Sequence, residues 1–186
     1  MSSAVMLDMQ WILNTGSLPY IHRRAKAYRK CDGAIESVSI ANLRPGDIVR
    51  STTEADFKTL AKVIKFLGGC SDFVRFGSGS LGRAMNVPSG DLLLSSNAIL
   101  ARANHKPIDA ENLINGNSIS RVRTEQPADA FLFCTVSGDY ILLDDVPVAT
   151  LSLDDWYAYL ETEAAQQLRW GEWSEESGAW HVCKNH

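Results

Sequence analysis

The sequence predicts a mainly β fold, an all-β domain with an arm ahead of it and an α-helix behind it. Two observations carry that prediction. From Asp32 to Thr150 short apolar runs recur, separated by Gly, Pro, Asn or Asp. After Thr150 the period lengthens: Leu153, Trp156, Tyr157, Leu160, Ala164 and Leu168 recur at helical spacing. The 186 residues divide on this reading into an N-terminal arm with a basic segment over 1–30, a β domain over 31–150, and a helix with a Trp-rich acidic tail over 151–186.

Met9 to Leu13 is a short apolar run closed by Asn14-Thr15-Gly16-Ser17, the pattern of a strand or arm ending in a turn. His22 to Lys30 holds five Arg or Lys and no acid, with Tyr28 as its one large apolar anchor. It reads as a solvated linker or edge, with a helix as the alternative. Asp32-Gly33 is a turn signal, and Ala34 to Leu43 alternates as a strand does. Pro45-Gly46 suits the centre of a type II turn, with Asp47 placed to bond backbone amides. Strands are then expected at Ile48-Val49, Ala61 to Phe66, Phe73 to Phe76, Leu92 to Leu94 and Ile99 to Arg102. Phe131 to Val136, Tyr140 to Leu143 and Val146 to Ala149 complete the set. A short helix closes on Asn115-Gly116, and Ser137-Gly138-Asp139 is expected to make a tight hairpin. Ser152, with Asp155 three residues on, starts the C-terminal helix, which is expected to run to Gly171. Glu172 to His186 comes last, as an irregular tail or a short second helix.

A net charge of −4 does not suit a nucleic-acid binder, and no apolar span approaches the length that crosses a membrane as a helix. The charge is split, however. The basic segment is answered by seven acids against Arg169 alone between Leu151 and Gly178, so the two ends are expected to meet each other or a partner. Cys31, Cys70, Cys134 and Cys183 form no Cys-x-x-Cys pair, and the four histidines supply no zinc-finger spacing. Free thiols, the cytoplasm, and neither cofactor nor metal are the expectation.

Four stretches resemble the Hint module, the hedgehog/intein autoprocessing fold in its bacterial stand-alone form. Val38 to Val49 (VSIANLRPGDIV) looks like that family's V-x-x-L-x-P-G-D-x-V strand and turn. Gly79 to Gly82 (GSLG), Pro88 and Asp91 to Ser95 (DLLLS) are similar to its G-A-L-G, proline and D-L-x-V-S-P-x-H pieces. His105 to Ile119 (HKPIDAENLINGNSI) and Tyr140 to Pro147 (YILLDDVP) resemble the next two. Together they cover about two-thirds of the chain in the family's order.

That resemblance implies a Cys or Ser at the module's first residue, which attacks its own preceding carbonyl, and histidines that assist. Counting back from Gly33, the nucleophile falls near Ile21. The histidine of S-P-x-H falls at Ala98, and two further histidine positions fall at Leu132 and Gly138. None of these side chains can attack or carry a proton. The resemblance therefore implies a scaffold without the family's activity.

Other candidates are weighed on their own chemistry. Cys31 beside Lys30 is a reactive thiol or a turn residue, and His105 a general base or a loop histidine. Ser17, Cys31 and His105 are the groups that residual self-cleavage or hydrolysis would recruit. Arg23, Arg24, Lys26, Arg29 and Lys30 are placed for phosphate or an acidic partner. Trp170, Trp173 and Trp180 fall outside the helical stripe, where Trp marks interaction surfaces or packs on the outer face. The expected function is a catalytically inactive Hint-like module that binds another protein, or a second copy of itself, through its C-terminal part.

Overall fold

The computed structural model describes residues 18–53, 55–82, 86–102 and 105–183. The strand expected at Met9 to Leu13, and Ser17, lie outside the described residues. The chain is mainly β, with a single α-helix among the described residues.

It opens with β1 (Ile21–His22) and β2 (Lys26–Cys31), which turns back on β3 (Ala34–Ser39) through Asp32-Gly33. Both turn residues have positive φ, 50° and 80°, the geometry of a two-residue hairpin turn that Asp-Gly supplies. The basic stretch is thus neither helix nor linker. β2 lies between β3 and β4 (Ile48–Arg50), with Ala27 turned inward. Arg29 pairs with Glu36 and Asp47 across the sheet. Residues 18–31 are accordingly built into the sheets instead of forming an arm.

The run from Ala34 stops being a strand at Ser39. Its hydroxyl accepts the Ala41 N–H at 3.3 Å and starts a 3-10 turn, Ile40–Asn42, which drives Ile40 and Leu43 into the core. Pro45-Gly46 then turns as expected. Gly46 has φ 93°, the Asp47 N–H reaches the Arg44 carbonyl at 3.0 Å, and the Asp47 carboxylate accepts the Arg44 N–H at 2.8 Å.

The chain continues through β5 (Phe57–Thr59), β6 (Lys62–Phe66), β7 (Cys70–Phe76), β8 (Leu92–Leu94) and β9 (Ile99–Arg102). Next come β10 (His105–Asp109), a 3-10 turn at Ala110–Leu113, β11 (Ile119–Ala128) and β12 (Ala130–Thr135). β13 (Tyr140–Leu143), β14 (Val146–Ala149), the two-residue β15 (Leu151–Ser152) and α1 (Leu153–Leu160) lead to β16 (Trp170–Ser174) and β17 (Ala179–Cys183). The large sheet runs β11-β7-β8-β1-β12-β6-β16-β17, with β15 parallel to β12. Two four-stranded sheets, β10-β9-β14-β13 and β3-β2-β4-β5, pack against it.

β12 is the spine. All six of its residues are buried, so an unbroken apolar run marks a strand covered on both faces. Phe131 and Phe133 face one core, with Ile21, Val74, Leu94, Leu100 and Ile141. Leu132 and Cys134 face a second core, with Ile64, Trp156, Tyr159 and Trp170.

Two expectations about turns and helices are corrected. Ser137-Gly138-Asp139 makes no hairpin, because β12 and β13 belong to different sheets. The segment is a crossover held by buried hydroxyls: Thr135 Oγ1 accepts the Gly138 and Asp139 N–H groups at 3.1 and 3.0 Å, and Thr150 Oγ1 donates to the Asp139 carbonyl at 2.7 Å. The C-terminal helix begins as read, Ser152 Oγ accepting the Asp155 N–H at 3.1 Å. It ends at Leu160, well short of Gly171, and β16–β17 forms a hairpin on β6. Gly171, expected to stop a helix, is a strand residue whose added Cβ would lie 3.1 Å from the His181 carbonyl. It is small because β17 passes close.

Candidate functional site

β1 crosses the middle of the large sheet, Ile21 pairing with Leu94 on one side and Phe131 on the other. The chain is fixed there by the turn after β8: the Tyr20 N–H donates to Ser95 Oγ at 2.9 Å and the Ser95 N–H to the Tyr20 carbonyl at 2.8 Å. The same turn carries Ala98, whose N–H returns to the Ser95 carbonyl at 3.1 Å. Ile21 and Ala98, 5% and 1% exposed, both lie in the first core. Leu132 lies in the second core, and Gly138 in the crossover. The positions the resemblance singles out are therefore split, and the two that share a core are apolar and closed to water.

His22 stands next to Ile21, 6% exposed and edge-on to Phe73 at 5.0 Å. Burial, then Arg23 and Arg24, holds its pKa below the usual histidine value, so the ring is neutral at pH 7. Its Nδ1 accepts the Arg24 N–H at 3.0 Å, which leaves the ring proton on Nε2. Sequence reasoning considered His22 only as a zinc ligand; a strand position beside the sheet centre was the signal it missed.

Beside this strand lies a cavity of about 370 Å³, lined by Tyr20, Asp72, Phe73, Ser96, Arg121 and Arg123 among others. The Tyr20 hydroxyl donates to the Asp72 carbonyl at 2.6 Å. Burial, then Cys70 and Asp72, pushes its pKa up to about 12, so it serves as a donor and never as a base near neutrality. Arg121 pairs with Glu111 at 3.1 Å and Arg123 approaches Asp72 at 3.9 Å.

The remaining sequence candidates lie apart. Cys31 is exposed at the end of β2, 3.9 Å from Asp32 Oδ2, and His105 is exposed at the start of β10. Burial pushes the Cys70 thiol up to about 11 and Cys134 to about 12, which makes them poor nucleophiles. Arg24 lines a smaller polar cavity with Lys26, Asp91 and Asp144; Arg23, exposed, donates its backbone N–H to the Asp129 carbonyl at 3.0 Å. The acidic tail meets Lys62 through Glu172 at 2.8 Å, whereas Arg29 of the basic segment turns to Glu36 and Asp47. The Ser177–His181 hydrogen bond, 2.8 Å, sits on the exposed hairpin away from these cavities. Among the described residues no group of three or more His, Cys, Asp or Glu is arranged to hold a metal ion.

The three tryptophans separate. Trp170, 4% exposed, is core, edge-on to Trp156 at 5.7 Å. Trp173 and Trp180 are half-buried on the hairpin, edge to face at 5.5 Å. The Arg44 guanidinium stacks 3.8 Å above Trp173 and 5.3 Å from Trp180, and the Lys65 ammonium stands 5.7 Å from Trp180. Arg44 is tied down by donating to the Ala41 and Leu43 carbonyls at 2.8 and 2.9 Å. Such a cation on an indole face contributes about 0.5–2 kcal/mol. No family model, curated protein or solved structure matches this chain. The site is thus read from its own residues. It offers a rigid aromatic and cationic surface beside a strand edge, with Val182 65% exposed, and a central strand without a nucleophile–base pair.

Proposed function

We propose that this chain is a catalytically silent Hint-like scaffold that works by binding protein through its C-terminal hairpin. The observation that carries this reading is the hairpin itself. Trp173 and Trp180 are held by Arg44, half-exposed, at the outer end of the large sheet, next to the exposed Val182. Indole and guanidinium groups held rigid by their neighbours contribute disproportionately to protein interfaces, because little side-chain entropy is lost on binding. The silent half of the reading is supported by Ile21 and Ala98, which fill the expected nucleophile and histidine positions with buried apolar groups. Four unpaired cysteines suit a reducing compartment, the cytoplasm.

Two measurements test the halves separately. The intact mass, 20.5 kDa, is expected to stay constant for a day at neutral pH with or without thiol reductant or hydroxylamine. A fragment would overturn the silent half, and its new terminus would identify the nucleophile. A photo-crosslinking amino acid at Val182 is expected to give a protein adduct that the same group at Ile35, exposed on β3, does not give. Equal adducts at both positions would sink the hairpin as the binding surface.

A further inference from the structure

Two copies of this chain, we propose, join their large sheets edge to edge, β17 against β17, antiparallel about a two-fold axis at His181. The inference rests on the hairpin being the binding surface and names its partner. Among the described residues β17 pairs with β16 alone. Against the described residues, the far side of β17 therefore presents a row of backbone donors and acceptors open to another strand.

Two other edges of the molecule, β11 and β10, carry the features that block such pairing. β11, at the opposite end of the same sheet, holds Arg121, Arg123, Glu125 and Pro127, and its register slips between Arg123 and Ala128. β10 holds Lys106 and Pro107, with a slip between His105 and Ile108. Charges, prolines and bulges of this kind keep edges from meeting. β17 reads Ala-Trp-His-Val-Cys, with neither an acid, a Lys, an Arg nor a Pro, and its register with β16 is unbroken over its whole length.

The composition of that edge selects its occupant. The strand itself carries no Asp, Glu, Lys or Arg to meet a charged segment. An identical strand fits it. Antiparallel pairing about His181 sets Trp180 opposite Val182 of the partner subunit, and the reverse, and sets Ala179 opposite Cys183 of the partner subunit. An aromatic opposite a β-branched side chain is a favourable cross-strand pair, small against small does not clash, and the strand has no Asp, Glu, Lys or Arg to meet its like. Trp180 is already braced by Arg44, Trp173 and Phe131, so it reaches Val182 of the partner subunit without reorganising. Pairing of one short strand buries less than the ~1,200 Å² at which stable interfaces begin. The dimer therefore forms and dissociates with concentration.

Sedimentation equilibrium from ~5 to ~500 μM tests this over the range of weak association. The mass is expected to climb from 20.5 kDa toward twice that value. Val182→Lys is expected to stay monomeric across the range with an unchanged thermal melt, since its side chain is exposed. Ala179→Cys, in a Cys31→Ser background, is expected to give a disulfide-linked dimer through Cys183 on oxidation, and Glu36→Cys in that background is not. A wild-type chain that stays at 20.5 kDa throughout overturns the inference, as does Val182→Lys dimerising like wild type. A dimer lost in Val182→Lys that Ala179→Cys fails to trap overturns the register and with it the stated pairing. If wild type is monomeric while the Val182 crosslinker captures a different protein, this inference falls and the hairpin-binding reading stands. If no adduct forms either, both fall.

Discussion

Asp144 occupies the first of two left-handed positions in the turn between β13 and β14, with φ 49° and only 9% of its surface exposed. The backbone explains its place: its N–H donates to the Lys26 carbonyl at 2.9 Å, and its carbonyl accepts the Ser89 N–H at 3.3 Å. The carboxyl group is carried inside as a consequence. Burial raises its pKa from 3.8 to about 6, against the opposing pull of the Lys26 amide and ammonium. The fold thus favours the protonated acid. This group's contribution to stability is greatest below about pH 4, declines as pH climbs toward 6, and is flat above. Asn keeps the shape, tolerates positive φ and still accepts from the amide. Asp144→Asn is therefore expected to raise the unfolding free energy by on the order of 1 kcal/mol at neutral pH and by much less near pH ~4, in urea titrations at the two pH values. A gain that is the same at both would show that charge burial is not its cause. Tyr28 is the contrasting case. Its hydroxyl donates to the carboxylate of Asp145 at 2.9 Å, so the neighbouring acid has a side-chain hydroxyl as its partner.

At the scale of elements, glycine separates turns that need only a dihedral from turns that also need space. Gly116 and Gly69 have φ of 76° and 72°. A Cβ on Gly116 meets nothing within 4 Å, whereas one on Gly69 would sit 2.7 Å from the Ala128 carbonyl, where β7 meets the end of β11. Gly116→Ala is expected to cost about 1 kcal/mol, the penalty of the left-handed backbone. Gly69→Ala must in addition shift β11 and is expected to cost roughly 2–4 kcal/mol, both read from chemical denaturation. Similar losses would mean that β11 yields easily. The same distinction between local and long-range causes decides what the sequence revealed. β8, β9, β13 and β14 have the bounds read from their apolar runs, and Asp32-Gly33 and Pro45-Gly46 turn as their backbones demand. β11 and the β16–β17 hairpin were not legible, because their residues alternate or face solvent on one side and carry Arg, Glu and Gly. Ala164 and Leu168 continued the helical stripe by coincidence. The last helical turn is closed by Thr162 Oγ1 donating to the Tyr159 carbonyl at 2.6 Å. Beyond it β6 offers a strand edge, and pairing with that edge draws Trp170 to Glu172 into β16.

The whole molecule has two cores that share strands, β12 and β6 above all, and this governs how its function can be probed. Removing the chain after Thr150 looks, from sequence, like a clean excision of a helix and tail. In the fold it strips Trp156, Tyr159, Ala165 and Trp170 from the second core and bares Ile64, Phe66, Leu132 and Cys134. Burying a large aromatic side chain contributes about 3–5 kcal/mol by truncation to alanine, and a domain of this size holds only about 5–15 kcal/mol in all. A 1–150 fragment is therefore expected to lose cooperative unfolding, bind a hydrophobic dye and aggregate, as seen by calorimetry and light scattering. Loss of a partner by that fragment would report unfolding and nothing about the hairpin. A fragment with a sharp transition near that of the full chain would show instead that the first core, built from all three sheets, suffices alone. The candidate surface was half legible for the same reason. Trp180 and Trp173 were visible as residues outside a helical stripe, but Arg44, which fixes them, is more than a hundred residues away in the chain and reaches them only because β16 pairs with β6. Only substitutions that leave the second core intact, such as the exposed Val182, separate binding from folding.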